Sequence, residues 1–248
     1  MSIDLSGQVV AVTGASSGIG EATALACARS GAAVALAARR LDRIEALAQR
    51  IAAEGGRAIA VQTDVSEESQ AQAFVTRAHA ELGRLDVLVN NAGVMLLGPI
   101  ENAPTEEWRR MIAANVFGVL YCTHAALPLM RQQGSGHIVN VSSVAGRVAR
   151  AGSGVYNLTK FGVGAFSEAL RQEGVAMGVR VTTIEPGAVA TELPGHNREE
   201  VLEQMAKRFA GVTPLDAEDI AGAVLYAIGQ PPNVSVNEVL VRPSGQGA

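Results

Sequence analysis

The sequence predicts an α/β fold, with a doubly wound parallel sheet of about seven strands and helices on both faces. Three observations lead to this prediction. Short apolar runs alternate with helical stretches along the whole chain, which is typical of repeated strand–helix–strand units. The first two runs, VVAV from residue 9 and AAVALAA from residue 32, are apolar throughout, as expected of strands buried on both faces. A glycine-rich turn then joins the first run directly to a helical stretch.

The pattern divides into seven strands and six helices. The predicted strands cover residues 8–13, 32–38, 57–62, 86–89, 137–141, 179–184 and 238–241. The predicted helices cover residues 19–30, 42–54, 67–82, 104–131, 156–177 and 216–229. Gly31, Gly55 and Gly83 lie where helices would end, as is typical of left-handed helix caps.

The chain contains no Pro/Ser-rich linker and no internal repeat, so we expect residues 1–248 to form a single domain. The segment 188–211 is rich in Gly, Pro and charged residues and lies between a strand and the last helix. We predict this segment to be irregular and to act as a lid over the site rather than as a domain boundary.

Composition and charge exclude several classes of protein. Of the 248 residues, 48% are hydrophobic and 18% are charged, which is typical of a globular protein and not of a disordered one. The formal net charge of -4, without clustered Lys and Arg, argues against nucleic acid as a partner. The first residues show no basic region followed by an apolar run, so we expect no signal peptide and a cytoplasmic location.

Metal and disulfide chemistry is not expected. Cys27 and Cys122 are too few for a disulfide framework or a metal cluster, and their apolar helical contexts favour small buried side chains. The histidines are scattered along the chain and lack neighbours at the spacing of zinc ligands; they are His79, His124, His137 and His196.

Residues 111–130 contain no Asp, Glu, Lys or Arg, and a helix of that length would span a bilayer. The stretch also contains polar residues, among them Asn115 and Thr123, whose side chains would be costly in lipid. A core or interface helix is therefore favoured over a membrane span, and we expect no membrane partner.

A phosphate-binding turn is predicted where the first strand ends. The segment T-G-A-S-S-G-I-G (13–20) leads from strand to helix, so backbone N–H groups and a helix N-terminus would face an anionic pyrophosphate. A tight turn with a purely structural role is the alternative, but the two serine hydroxyls favour a dinucleotide site of the Rossmann type. The predicted cofactor-binding residues of this loop are Gly14, Ser16, Ser17, Gly18, Ile19 and Gly20.

Several further motifs follow the loop in a fixed order. They are N-N-A-G (90–93), Asn115, Ser142, Y-N-L-T-K (156–160), P-G (186–187) and Thr191. Each motif is weak alone, but the ordered set, which spans residues 13–191, resembles the short-chain dehydrogenase/reductase family. The resemblance implies a Rossmann-type enzyme that uses a nicotinamide cofactor and a small-molecule substrate.

The second predicted strand ends at Arg39 and Arg40 rather than at a carboxylate. A carboxylate there would hold the ribose 2′-OH of NAD, whereas a guanidinium pairs with the 2′-phosphate of NADP. Asp42 lies close by but is better interpreted as a first-turn helix carboxylate. The alternative is that both arginines are solvated residues at a helix start. We predict NADP(H), with NAD(H) as the alternative.

The resemblance implies further cofactor contacts. In the family an Asp-Val pair lies against the adenine, which matches Asp64 and Val65, and Asp64 could also cap a helix. Asn91, Ala92 and Gly93 would line the ribose side. The family's nicotinamide site corresponds to the catalytic helix and the segment after the sixth strand. The remaining implied cofactor-binding residues are Tyr156, Lys160, Pro186, Gly187, Val189 and Thr191.

A catalytic set is predicted from the same motifs. Tyr156 and Lys160 stand at i and i+4, so on a helix they share one face, where the ammonium would lower the tyrosine pKa. Ser142, at a strand end, would hydrogen-bond the substrate oxygen and hold it against the phenol. In the family an Asn at the position of Asn115 kinks its helix and holds a water that links the lysine to solvent. The alternative for Asn115 is a satisfied core amide.

These features predict an NADP(H)-dependent oxidoreductase for a small aldehyde, ketone or matching alcohol. The predicted substrate walls are mostly small and apolar: residues 94–97, 144–147, 155 and 188–209. Contacts of Arg147, Glu185 or His196 with the substrate stay open. The alternatives are an NAD(H)-using alcohol dehydrogenase of the same family and a non-catalytic NADP-binding sensor. A sensor would have no reason to keep the catalytic set together.

Longer stretches, such as M-L-L-G-P-I-E (95–101) and T-E-L-P-G-H (191–196), resemble clavulanic acid dehydrogenases and bacterial NADP-dependent 3-hydroxy acid dehydrogenases. This likeness supports a subgroup of carbonyl reductases rather than a substrate. The family resemblance also implies a homo-oligomer, either a dimer or a tetramer, in which helices 104–131 and 156–177 pack across a two-fold axis.

Overall fold

The computed structural model describes residues 3–247; Met1, Ser2 and Ala248 belong to the predicted domain but lie outside the described residues. Seven strands form one parallel sheet in the order β3-β2-β1-β4-β5-β6-β7, which confirms the predicted architecture. The strands are β1 (Val9–Thr13), β2 (Ala33–Ala38), β3 (Arg57–Gln62), β4 (Val87–Asn90), β5 (Gly136–Val141), β6 (Val179–Pro186) and β7 (Glu238–Val241).

Helices connect the strands and pack on both faces of the sheet. They are α1 (Gly18–Arg29), α2 (Leu41–Ala53), α3 (Glu68–Leu82), α4 (Thr105–Ile112), α5 (Gly118–Gln133), α6 (Gly154–Gly174), α7 (Glu199–Arg208) and α8 (Ala217–Ile228).

Strand β1 shows why its sequence is apolar at successive positions. Val10 and Val12 pack in a buried cluster with side chains of α1, α2 and α8. Val9 and Ala11 pack on the opposite face, in a cluster with side chains of α3, α5 and α6. Because successive strand residues point to opposite faces, a strand covered on both sides needs apolar residues throughout.

The strand order places a crevice at the carboxyl ends of β1 and β4. Strand β1 has β2 on one side and β4 on the other, so the connections after β1 and β4 leave in opposite directions. Open α/β sheets bind ligands at such a switch point. The glycine loop follows β1 and the N-N-A-G segment follows β4, so the two motifs meet there.

The predicted helix 104–131 is interrupted. Helices α4 and α5 are joined by a π-helical turn, Ala113–Phe117, which contains the buried Asn115. By length and composition the stretch Thr105–Gln133 could cross a membrane, since an 18-residue window within it has a mean hydropathy of 1.4. Single π turns within helices often occur at functional sites. The helical break implied by the family resemblance is therefore present.

Helices α5 and α6 and the π turn leave several apolar side chains exposed. Phe117 stacks on Tyr121, with ring centroids 5.6 Å apart, and Leu158 and Phe161 are exposed on α6. The predicted homo-oligomer requires an apolar face of this kind on these helices. The oligomer stays a prediction, and a monomeric elution profile would contradict it.

The predicted irregular segment 188–211, which we call the lid, contains more regular structure than the sequence suggests. A short 3₁₀ turn covers Leu193–His196, and helix α7 covers Glu199–Arg208. Acidic residues in the first turn of α7 and basic residues in its last turn complement the helix dipole. Asn197 connects the lid to the segment after β4. Its side-chain NH₂ group donates to the Met95 carbonyl at 3.0 Å, and its side-chain oxygen accepts from the Leu97 N–H at 2.6 Å.

The two cysteines are buried in the two core clusters, as their sequence context predicts. Burial raises the pKa of both the Cys27 and Cys122 thiols to about 12. Both side chains are therefore neutral near pH 7 and act as small apolar groups in the core.

Candidate active site

Two adjoining cavities lie at the carboxyl ends of the strands. The first has a volume of about 610 Å³ and extends from the glycine loop to Arg39 and Arg40. The second has a volume of about 500 Å³ and extends from Tyr156 to the lid. Asn91, Gly93 and other residues line both cavities, so the cavities meet above the end of β4.

The glycine loop has the geometry of a phosphate cradle. Gly14 has a φ of 66° and Gly18 a φ of 54°, a region that favours glycine. A Cβ on Gly20 would lie 2.3 Å from the Gly14 carbonyl oxygen, and one on Gly14 would lie 2.8 Å from the Ala92 Cα. Helix α1 begins at Gly18, so its N-terminus faces the first cavity. Because Gly14 and Gly18 line the first cavity without side chains, a dinucleotide pyrophosphate could approach the backbone N–H groups of the loop.

The N-N-A-G segment holds this cradle in place. The Asn91 amide donates to the carbonyl of Thr13 at 2.9 Å and to that of Gly14 at 3.3 Å. The Thr13 hydroxyl accepts from the N–H groups of Asn91 and Ala92, both at 3.0 Å. Because Asn91, Ala92 and Gly93 also line the first cavity, the segment both fixes the loop and faces the predicted ribose position.

Arg40 joins the glycine loop to the lid. Its guanidinium donates to the hydroxyls of Ser16 and Ser17, both at 2.9 Å, and to a carboxylate oxygen of Glu192 at 2.7 Å. Arg43 binds the other oxygen of Glu192 at 2.7 Å. Arg39 is exposed and lines the same cavity. The end of β2 thus presents two guanidinium groups, and the carboxylate that pairs with Arg40 comes from the lid.

Asp64 and Val65 line the first cavity, as the resemblance implies. Asp64 does not cap helix α3, which begins at Glu68 with Glu67 at the N-cap position. Its carboxylate instead accepts from the N–H and the hydroxyl of Ser66, at 3.0 and 2.6 Å, in the turn before the helix. The predicted capping role of Asp64 is therefore wrong.

Tyr156 and Lys160 share one face of α6, as their spacing predicts. Their residues are only 6% and 7% exposed, and the Lys160 Nζ lies 5.9 Å from the centre of the Tyr156 ring. The ammonium donates to the Val141 carbonyl at the end of β5, at 2.9 Å. The pair is thus held against the sheet at the floor of the second cavity.

Burial controls the pKa of both groups. It lowers the pKa of Lys160 to about 8. It raises the pKa of Tyr156 to about 12, and a hydrogen bond with Ser143 acts weakly in the opposite direction. The expectation that Lys160 lowers the tyrosine pKa does not hold here, because desolvation of the phenolate is the larger effect. Tyr156 therefore carries its proton at neutral pH and is a potential proton donor.

The two adjacent serines after β5 point in different directions. The Ser142 hydroxyl is buried and donates to the backbone carbonyl of Lys160 at 3.1 Å. Ser143 is extended, so its side chain lies on the opposite side of the chain from that of Ser142. It hydrogen-bonds Tyr156 and lines the second cavity. Both serines line the second cavity, but the hydroxyl beside the phenol is that of Ser143. The geometry therefore favours Ser143 over the predicted Ser142 for a contact with the substrate oxygen.

Asn115 makes its contacts with the protein core. Its side-chain oxygen accepts from the Val94 N–H at 2.8 Å, and its amide donates to the Val94 carbonyl at 2.9 Å and the Thr159 hydroxyl at 3.2 Å. These bonds fit the alternative of a satisfied core amide. The water that would link Lys160 to solvent stays a prediction, to be tested by the proton-transfer rate of an Asn115→Leu variant.

The second cavity has mostly apolar walls. Arg147 and Val155, which the sequence assigns to these walls, do not line it, and neither does Gly146. Arg147 instead pairs with the buried Glu185 at 2.6 Å and also with Glu238. The end of β6 and the lid contribute most of the lining of the second cavity. These lining residues are Pro186, Gly187, Ala188, Val189, Ala190, Thr191, Leu193, Pro194, Leu202, Met205, Ala206, Arg208 and Phe209.

His196 lines the first cavity and not the second. Glu185, paired with Arg147, is buried at the end of β6. The sequence leaves open whether Arg147, Glu185 and His196 contact the substrate. In the structure Arg147 and Glu185 form an ion pair beside the site.

Known proteins resemble this chain over nearly its whole length. Residues 8–202 match the family described as short chain dehydrogenase. The chain is 44% identical over 243 residues to the uncharacterized oxidoreductase SSP1627 of Staphylococcus saprophyticus, covering 96% of this chain and 97% of that protein. It is 43% identical to glycine betaine reductase ATRR of Emericella nidulans, covering 96% of this chain but 19% of that protein.

A solved structure shares both the fold and the sequence pattern. It is the closed form of a serine dehydrogenase complexed with NADP+, which matches with a TM-score of 0.90 and 34% identity. The match covers 97% of each chain. The family model, the relatives and the fold agree: this chain is an oxidoreductase that belongs to the short-chain dehydrogenase/reductase family.

Proposed function

We propose that this oxidoreductase is NADP(H)-dependent and interconverts a small aldehyde or ketone with the matching alcohol, with Tyr156 as the acid or base. One observation carries the proposal. The buried pair of Tyr156 and Lys160, with Ser143 beside the phenol, lies at the floor of the apolar cavity that adjoins the dinucleotide cradle. A carbonyl group in that cavity would have a proton donor and an orienting hydroxyl on one side.

The residues present fit a dinucleotide cofactor. The glycine loop would hold the pyrophosphate, Arg39 and Arg40 the 2′-phosphate, and the segment Pro186–Thr191 the nicotinamide end. When bound, the nicotinamide supplies or accepts the hydride. Because Pro186–Thr191 line the second cavity, the nicotinamide end would enter that cavity, and the rest of it, toward the lid, would hold the substrate.

The protein's own groups handle the proton. Tyr156 would donate its phenolic proton to the carbonyl oxygen, and Ser143 would orient that oxygen by a hydrogen bond. Lys160, whose pKa lies near 8, favours the phenolate left behind and can return a proton to it. The apolar walls exclude water from this exchange. Since the pKa of Tyr156 lies near 12, the phenol carries at neutral pH the proton that carbonyl reduction requires.

The alternatives of an NAD(H)-using enzyme and a non-catalytic sensor have less support. No carboxylate stands at the end of β2, within the described residues 33–38, to hold a ribose 2′-OH. The related serine dehydrogenase structure contains NADP+. A sensor would not need the buried tyrosine and lysine at the floor of the second cavity. The glycine betaine reductase and the serine dehydrogenase act on different substrates by name, so they do not select one for this chain.

We expect the double substitution Arg39→Ala/Arg40→Ala to weaken NADPH binding far more than NADH binding. Each charge-assisted bond to the 2′-phosphate contributes about 1.5–3 kcal/mol, so the Kd for NADPH should rise roughly 30-fold or more. NADH lacks that phosphate, and its Kd should change by less than about threefold. Titration of nicotinamide fluorescence measures both constants.

Arg50→Ala is the matched control, because Arg50 lies on α2, the helix that follows Arg40, but does not line the cavity. It should leave both dissociation constants unchanged. An equal loss of NADH and NADPH binding in the double variant would remove the argument for NADP(H).

A turnover screen tests the proposed reaction. Consumption of NADPH would be followed with small aldehydes, ketones, diketones and oxo acids, and the reverse reaction would be followed with the matching alcohols. We expect saturable oxidation of NADPH with at least one class of carbonyl. Cofactor binding without turnover of any compound would favour the sensor.

A further inference from the structure

Three arginines line the second cavity: Arg150, Arg208 and Arg242. The charge of Arg242 acts on the buried Glu185, whereas Arg150 and Arg208 have no carboxylate partner among the described residues. Arg150 belongs to the loop between β5 and α6, and Arg208 is the last residue of α7 in the lid. Neither forms an ion pair with any residue in the described range 3–247. Both line the second cavity and not the first, so they stand apart from the phosphate cradle.

Other arginines on the same two segments behave differently. Arg147, three residues before Arg150, pairs with Glu185 and Glu238. Arg198, just before α7, pairs with Glu107 at 3.7 Å. A guanidinium beside an apolar cavity loses hydration and usually gains a partner in exchange. Arg150 and Arg208 thus present guanidinium groups at the cavity with which a bound ligand could pair.

Arg150 is held in a fixed position relative to the catalytic helix. The backbone N–H of Arg150 donates to the side-chain oxygen of Asn157 at 3.1 Å. The Asn157 amide donates to the carbonyls of Ala145 at 2.7 Å and Val148 at 3.0 Å, which fixes the rest of the loop. Asn157 directly follows Tyr156 on α6. The loop that carries Arg150 is therefore anchored one residue from the phenol.

Arg208 is oriented by an aromatic ring. Its guanidinium carbon lies 5.4 Å from the centre of the Phe209 ring, which itself lines the cavity. Burial lowers the pKa of Arg208, and the positive charge of Arg150 lowers it further. Two like charges thus act on each other across one cavity. An anion between them would relieve this repulsion.

The remaining walls limit the size of the ligand. They include Val144, Leu202 and Met205, and the cavity volume of about 500 Å³ would be shared between the substrate and the nicotinamide end of the cofactor. A short carbon chain would contact these apolar side chains, and its anionic end would meet the two guanidinium groups. Arg pairs bind planar carboxylates well, because each guanidinium can donate two parallel N–H bonds.

We propose that Arg150 and Arg208 form a carboxylate-binding site, and that the substrate is a short oxo acid or the corresponding hydroxy acid. This inference rests on the proposed function. In the reduction, the carbonyl carbon gains the hydride and the carbonyl oxygen gains the proton of Tyr156. The oxo acid becomes a hydroxy acid as NADPH becomes NADP+, and the carboxylate takes no part in the bond changes.

The test compares short 2-, 3- and 4-oxo acids with their methyl esters, which keep the ketone but lose the charge. For the wild-type enzyme we expect kcat/KM to be at least about tenfold higher for the best acid than for its ester. Arg150→Met and Arg208→Met should each lower kcat/KM for the acid roughly tenfold, through KM, and leave the ester within about twofold.

Lys207→Met is the matched control, since it removes the neighbouring charge on α7 from a residue that does not line the cavity. It should leave kcat/KM for the acid unchanged. Arg150→Lys and Arg208→Lys, which keep the charge, should recover part of the lost rate. Thermal melting of each variant shows whether it is folded.

Two results would overturn the carboxylate site: turnover of esters as fast as acids, or an equal loss for acid and ester in the methionine variants. If no carbonyl compound is reduced, the proposed function fails, and calorimetry then tests the site alone. In that case the hydroxy acids should bind the wild-type protein and not the Arg150→Met/Arg208→Met double variant. Equal binding to both proteins would refute the site.

Discussion

Replacing Tyr156 by Phe is expected to lower kcat/KM for every accepted carbonyl by about 10³-fold or more, in line with the contribution of a positioned general acid. The substitution removes the phenolic hydroxyl and leaves the ring, which packs in a small buried cluster with Val94, Leu96 and Met111. The fold and the cofactor cradle should therefore be intact. The lost rate would report the proton that Tyr156 supplies.

Two measurements separate this chemistry from a binding defect. The Kd for NADPH, from fluorescence titration, should change by less than about threefold, because the cradle lies in the first cavity. Tyr226→Phe serves as the control, since Tyr226 is exposed on α8, and it should keep full activity. Full activity in Tyr156→Phe would refute the proposed acid.

The fold follows from local patterns in the sequence, because each pattern reports burial of the element that carries it. The apolar runs of β1 and β2 reflect helices packed on both faces of the sheet. Helix α7 was not predictable in this way. Its apolar residues are few, and Gly, Pro and charged residues surround them in the segment 188–211. Only Val201 is buried, because Leu202 and Met205 line the cavity rather than the core.

The same distinction applies to the site. Gly14 needs a positive φ, and Tyr156 and Lys160 need only one helical turn, so their arrangement is local and the sequence reveals it. The pairing of Arg40 with Glu192 joins residues 152 positions apart, and nothing local in the sequence indicates it. The raised pKa of Tyr156 likewise depends on burial by distant segments.

The roles of the adjacent serines are determined partly by the local sequence and partly by distant segments. The sequence locates a hydroxyl at the end of β5, but the choice between Ser142 and Ser143 depends on which side of an extended chain faces the cavity. A shift of one residue exchanges the two sides. The buried bond from Ser142 to the Lys160 carbonyl fixes this register in the structure.

Ser143→Ala is expected to lower kcat/KM roughly 100-fold, which is the usual loss when one hydrogen-bond donor to a developing oxyanion is removed. Ser142→Ala should leave kcat/KM within about threefold and lower the free energy of unfolding by about 1 kcal/mol, since it removes a single buried hydrogen bond. The two variants differ by one position and remove the same hydroxyl group. Their comparison therefore isolates the direction in which each hydroxyl points.

The effect of Ser143 should reside in the chemical step. We expect kcat to fall in Ser143→Ala while the Kd for NADPH stays constant, and Ser143→Thr, which keeps the hydroxyl, to restore much of the rate. Thermal melting should show the larger destabilisation in Ser142→Ala. The reverse result, with activity lost in Ser142→Ala and kept in Ser143→Ala, would restore the assignment that the sequence predicts and refute the orientation of these two side chains.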